Sequence, residues 1–199
     1  MKQRILSMLL VIVMVAGMMP AHVLATDPEV LWGTSADNLT GSGTLTEAIA
    51  AYASYIQLQR NIESDSSLSF NNSVTLDLNG NTLTVEVTRS GTVGVYVAGD
   101  LTVTDSSTDR NGSLSSIVTN ESGYGVFVEE NLTVLDGSLT GTGPYNGIIA
   151  YGDINVSGGS LTGRSDCENE DLLGYGVYAV GGITVWGGEL TGTANGKCG

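Results

Sequence analysis

The sequence predicts an all-β chain wound as a parallel β-helix of three-stranded coils, and three observations predict it. A unit recurs four times, opening at Gly94-Val-Tyr-Val97, Gly125-Val-Phe-Val128, Gly147-Ile-Ile-Ala150 and Gly176-Val-Tyr-Ala179. Each unit is three short β-type segments parted by Gly, Asp or Asn turns, which suits one coil of a solenoid with a period near 22 residues. The 199 residues are 41 % hydrophobic and 14 % charged with 28 glycines, too aliphatic for a disordered chain and rich in turn-formers.

In chain order, residues 1–25 carry the parts of a secretory signal: Lys2 and Arg4, an apolar run from Ile5 to Met19, Pro20, and Val23-Leu24-Ala25 with cleavage expected after Ala25. An uncleaved anchor is the alternative, but the run falls short of the ~20 residues a span needs. The mature protein is therefore expected outside the cell, secreted or surface-associated, with no membrane span. Cleavage removes His22, the one histidine, and leaves five basic against twenty-one acidic residues. A histidine-free chain excludes Ser-His-Asp and Cys-His hydrolysis and imidazole-bound zinc. A net charge of −14 excludes a nucleic-acid partner, which needs clustered Lys and Arg.

Residues 26–43 read as an N-terminal extension and 44–199 as the β-helix domain. A helix starts at Thr44, with Glu47 three residues on as in a capping box, and is expected to cover the first coil's open strand edges. Tyr55–Leu58 and Val74–Gly80 read as the first coils. In the repeats the first anchors lie 31, 22 and 29 residues apart and the following Leu-Thr-Val-type anchors keep the same intervals, so length varies in one loop region and in an insertion at 105–111. Alternation turns Val95, Val97, Leu101, Val103 and Leu114 inward with their counterparts. A sandwich of short hairpins would not predict the same residues at the same places in every unit. Lys197-Cys198-Gly199 follows directly on a full unit, and the expectation at that end is either a longer solenoid with further coils or contact with a partner.

The run Leu45-Thr-Glu-Ala-Ile49, Tyr55-Ile-Gln-Leu58 and Val74-Thr-Leu-Asp-Leu-Asn-Gly-Asn-Thr-Leu83 resembles the opening of secreted bacterial right-handed parallel β-helix proteins of the pectin-lyase-like superfamily. The following units are similar to repeats in surface proteins and carbohydrate-binding domains of clostridia-like bacteria. The resemblance spans roughly residues 40 to 196 and implies a right-handed β-helix, but its members include lyases, hydrolases, adhesins and non-catalytic binders. Pectate lyases of the superfamily pair calcium-binding aspartates with an arginine base, for which Arg89, Arg110 and Arg164 are the candidates; all three fall in loops or at strand edges. The polygalacturonase pattern needs a histidine.

Tyr96, Phe127, Ile149 and Tyr178 hold one outward position in four successive coils, so a ladder is expected that either stabilises the sheet or offers a strip on which sugar rings lie. Trp186, after Ile183-Thr-Val185, follows the same argument. Asp100, Asn131 and Asp153 form a second row, with Gly182 in the fourth unit; their oxygens suit calcium or serve as turn acceptors. Asp166-Cys-Glu-Asn-Glu-Asp171 is a solvated loop or a cation or partner contact. Cys167 and Cys198 fall at related places in consecutive coils, close enough for a disulfide, with two free thiols as the alternative. Apart from calcium, no cofactor is expected. The expected function is non-catalytic binding or adhesion to a polysaccharide or cell-surface glycan; the alternatives are a calcium-dependent pectate-type lyase and a ligand-free spacer.

Overall fold

The structure, a computed structural model, describes residues 27–89, 92–119, 122–167 and 173–195. Their chain order begins with a hairpin of β1 (Val30–Ser35) and β2 (Asn38–Gly43), then helix α1 (Leu45–Ala50). The strands that follow are β3 (Tyr55–Leu58), β4 (Ile62–Ser64), β5 (Leu68–Phe70), β6 (Val74–Asp77), β7 (Thr82–Val87), β8 (Thr92–Val97), β9 (Leu101–Thr104), β10 (Ser113–Val118) and β11 (Gly123–Val128). After them come β12 (Leu132–Val134), β13 (Ser138–Gly143), β14 (Asn146–Ala150), β15 (Ile154–Val156), β16 (Ser160–Ser165), β17 (Tyr175–Ala179), β18 (Ile183–Val185) and β19 (Glu189–Ala194).

From β3 onward, successive strands go to a first, second and third sheet in fixed rotation, and each pairs in parallel with the strand three places away. We call one passage through the three sheets a round. The first sheet runs β18-β15-β12-β9-β6-β3-β1-β2, the second β19-β16-β13-β10-β7-β4 and the third β17-β14-β11-β8-β5. The repeats stack in register: Val95 faces Val126, which faces Ile148, which faces Val177. This all-β architecture of parallel, regularly stacked strands agrees with a parallel β-helix.

The core lies between the sheets. Val95, Val97, Leu101, Val103 and Leu114, the expected inward residues, are all fully buried, as are Val126, Leu132, Leu139, Ile148, Ile154 and Leu161 above them. In the last round the equivalent Ile183 and Val185 are 46 % and 47 % exposed. At the other end the capping box forms as expected: Thr44 Oγ1 accepts from the Glu47 N–H, and Glu47 Oε2 accepts from the Thr44 N–H. Leu45 and Ala48 of α1 face the core. The cap extends further than the helix. Residues expected only as an extension form the β1–β2 hairpin, and β1 pairs antiparallel with β3, so the hairpin covers the edge of β3 and extends the first sheet by two strands. Register shifts on both sides of Gly33 and a burial pattern without strict alternation hide that hairpin from a periodicity argument.

Corners between first- and second-sheet strands use the left-handed backbone region, at Gly137 (φ 72°), Gly159 (φ 63°) and Gly188 (φ 72°). Among the described residues, no helix is long and apolar enough to cross a membrane.

Candidate functional site

The third sheet gathers most of the molecule's aromatic side chains. Along its outward side, Tyr96, Phe127, Ile149 and Tyr178 are paired in register as expected. Ring contact links Tyr96 to Phe127, with centroids 5.8 Å apart and planes 30° off parallel. The expected continuous ladder then breaks, because Ile149 has no ring and is itself buried at 7 % exposure. Tyr178 instead contacts Tyr175 at 5.1 Å.

Four tyrosines that the repeat pattern did not single out complete the face. Tyr124 meets Phe127 edge-on at 5.6 Å and Tyr145 at 6.0 Å, while Tyr151 lies 5.1 Å from Phe127. Tyr175 occupies the row of Tyr124, with Asn146 between them in register. Tyr124 and Phe127 are three apart, so strict alternation assigns them to opposite faces. Two consecutive buried residues, Gly125 and Val126, shift the phase and bring both rings outward. A signal was present in the sequence, since Tyr175 and Tyr178 repeat the spacing of Tyr124 and Phe127, the first ring of each pair standing within a Gly-Tyr-Gly triplet.

The shift depends on small residues. A Cβ on Gly125 would lie 2.5 Å from both the Gly147 carbonyl oxygen and the Thr142 backbone nitrogen, where the second and third sheets meet. Only a glycine fits so close a backbone approach.

The rings carry polar groups at their edges. Tyr96 Oη donates to Glu129 Oε1 at 2.6 Å, and this bond pushes the phenol's pKa up. Burial, with Tyr151 and Tyr145 nearby, does the same for Tyr124. Both remain neutral donors at ordinary pH. Tyr151, Tyr175 and Tyr178 are exposed, while Tyr96, Tyr124 and Phe127 are half-buried, so the cluster is anchored at its base and open above. Trp186 is 83 % exposed but follows β18 of the first sheet and lies outside this cluster.

Asp100, Asn131 and Asp153 stand in a row, as expected, where the chain passes from the third sheet to the first. Ser73 Oγ accepts from the Asp100 N–H, Asp100 Oδ1 from the Asn131 N–H, Asn131 Oδ1 from the Asp153 N–H and Asp153 Oδ1 from the Gly182 N–H. One oxygen per round is thus engaged by the next round's backbone, which is the turn role expected as the alternative to calcium. Among the described residues, no group of three or more His, Cys, Asp and Glu side chains gathers as metal ligands would.

The arginines do not converge. Arg110 pairs with Asp136 at 2.7 Å, and Arg164, which lies within β16 near its end, pairs with Asp166 at 2.6 Å. Arg89 precedes β8 in a different corner. Cys167 is buried and disulfide-bonded. Its expected partner Cys198, and Glu168 to Asp171 of the acidic run, lie outside the described residues.

Two buried carboxylates were not singled out from the sequence. Asp77 accepts from Tyr55 Oη, Gln57 Nε2 and the Asn79 and Ser106 N–H groups. Asp105 accepts from the N–H groups of Gly80, Ser107 and Gly112. Both shape the 105–112 loop and leave the aromatic face open. Comparison with protein families, curated proteins and solved structures finds no match to the chain, so its architecture rests on its own strand pairing.

Proposed function

We propose that the protein is an exported, non-catalytic binding module that takes a polysaccharide or cell-surface glycan on the third sheet of a right-handed, three-stranded parallel β-helix. The rotation of strands through three sheets and the roughly one-round spacing of the repeat support that reading of the fold. One observation carries the functional reading: an open cluster of Tyr96, Tyr124, Phe127, Tyr145 and Tyr151 in ring contact, with Tyr175 and Tyr178 beyond. Aromatic faces receive the apolar CH faces of pyranose rings, and the phenol and carboxylate edges exchange hydrogen bonds with sugar hydroxyls. The arginine–carboxylate pairs Arg60–Glu29, Arg110–Asp136 and Arg164–Asp166 belong to separate places in the stack, and none of their arginines is on a third-sheet strand.

The test is binding of the purified protein to plant, mucin and bacterial polysaccharides, with and without calcium, while polymer length is followed in the same samples. The expected result is calcium-independent binding at unchanged length, weakened about ten-fold or more by Phe127→Ala, as loss of a stacking anchor would do. Calcium-dependent shortening would establish a lyase instead. Binding that Phe127→Ala leaves intact would place the site elsewhere.

A further inference from the structure

Charge around the aromatic face narrows the class of glycan it takes, on the assumption that this face is the binding site proposed above. The corner leading from the third sheet to the first carries Asp100, Glu129, Glu130 and Asp153, all exposed. Glu129 is fixed against the rings by its bond from Tyr96. Asp100 and Asp153 each spend Oδ1 on a backbone N–H, which orients the carboxylate without neutralising it.

None of the four described arginines stands at this corner. Arg60, bound to Glu29, follows β3; Arg110, bound to Asp136, lies between β9 and β10; Arg164, bound to Asp166, is in β16; Arg89 lies before β8, at the opposite end of the third-sheet strands. At this corner the aromatic face therefore meets four carboxylates and none of the described arginines, on a chain of net charge −14, while Arg89 lies towards its other end.

We infer that the aromatic face selects a cationic glycan, a polymer of amino sugars bearing free amines, over neutral and acidic ones. A uronate polymer would bring like charge to the acidic corner. A neutral sugar would use the rings alone. An ammonium on the sugar gains both the carboxylates and the negative ring faces, which attract cations within about 6 Å of the centroid. A sugar chain fits better than a basic peptide because rings and acids recur with the rounds, about 4.8 Å apart, comparable to the length of one pyranose unit.

The experiment is calorimetric titration of the purified protein, at physiological ionic strength, with short oligomers of glucosamine, N-acetylglucosamine and galacturonate and with an oligolysine of equal charge. The expected result is that the glucosamine oligomer binds about ten-fold more tightly than its acetylated counterpart and that galacturonate does not bind. The double variant E129Q/E130Q should bring that ratio towards one, while Phe127→Ala weakens both glucosamine and N-acetylglucosamine. Circular dichroism and thermal melting establish that each variant is folded. Equal affinities for the charged and acetylated oligomers overturn the inference and leave the glycan-binding reading standing. A preference that survives E129Q/E130Q, or oligolysine binding as tightly as glucosamine, also overturns it. Failure of every sugar in this set and of the wider polysaccharide panel overturns both readings.

Discussion

Asp105 is 4 % exposed, and its two carboxylate oxygens accept three backbone N–H groups, one of them from Gly80 in the preceding round. Burial opposes its ionisation, but the combined bonds from Ser107, Gly112 and Gly80 outweigh it and hold the pKa below the ordinary value. At Asp77 burial is likewise outweighed, by bonds from Gln57, Ser106 and Tyr55. A carboxyl whose folded pKa lies below its unfolded value of about 3.9 stabilises the fold fully above that value and loses the contribution as pH falls through the folded one. Chemical denaturation between neutral pH and pH 2 should therefore show stability falling below about pH 4, with a smaller fall in Asp77→Asn and Asp105→Asn. Asp105→Ala leaves buried donors without an acceptor and should cost about 3 kcal/mol at neutral pH, measured by the same denaturation curves.

Strands alternate faces by default, so the departure at Gly125-Val126 decides which rings share a surface. Gly125→Ala would force a Cβ against backbone atoms that cannot move aside. A cost of about 1–3 kcal/mol is expected from such overpacking, with weaker glycan binding because Tyr124 and Phe127 separate. The melting temperature and the binding titration measure the two effects independently. Helix α1 needed no such correction. Thr44 and Glu47 cap it through contacts local in sequence, and these were legible at three-residue spacing. The β1–β2 hairpin was not, because β1 forms against the edge of β3, whose paired residues lie 22 to 28 positions further along the chain.

Across the whole molecule, each round is supported mainly by the rounds on either side. Leu139, fully buried in the middle of the stack, faces Leu114 below and Leu161 above. Its replacement by Ala should cost about 2–5 kcal/mol, and because stability in such an array is a sum of neighbour contacts, the loss should spread to the adjoining rounds in hydrogen exchange. Protection confined to the far rounds in Leu139→Ala is the expected pattern; uniform loss would mean that the rounds unfold as one unit.

By itself the sequence determined the all-β class, the repeat, the inward aliphatic rows and the capped helix, since each rests on periodicity or spacing within one unit. Tertiary structure decided the binding face. Tyr145 and Tyr151 flank β14 and reach the cluster only because their round stacks on that of Phe127. Asp77 is buried because the 105–112 loop folds back over it, with the Ser106 N–H bonding its carboxylate. In-register neighbours one round away are 20 to 31 residues away along the chain. Local pattern sets which way a residue points, whereas its neighbours across the stack depend on register, corner geometry and loop length together.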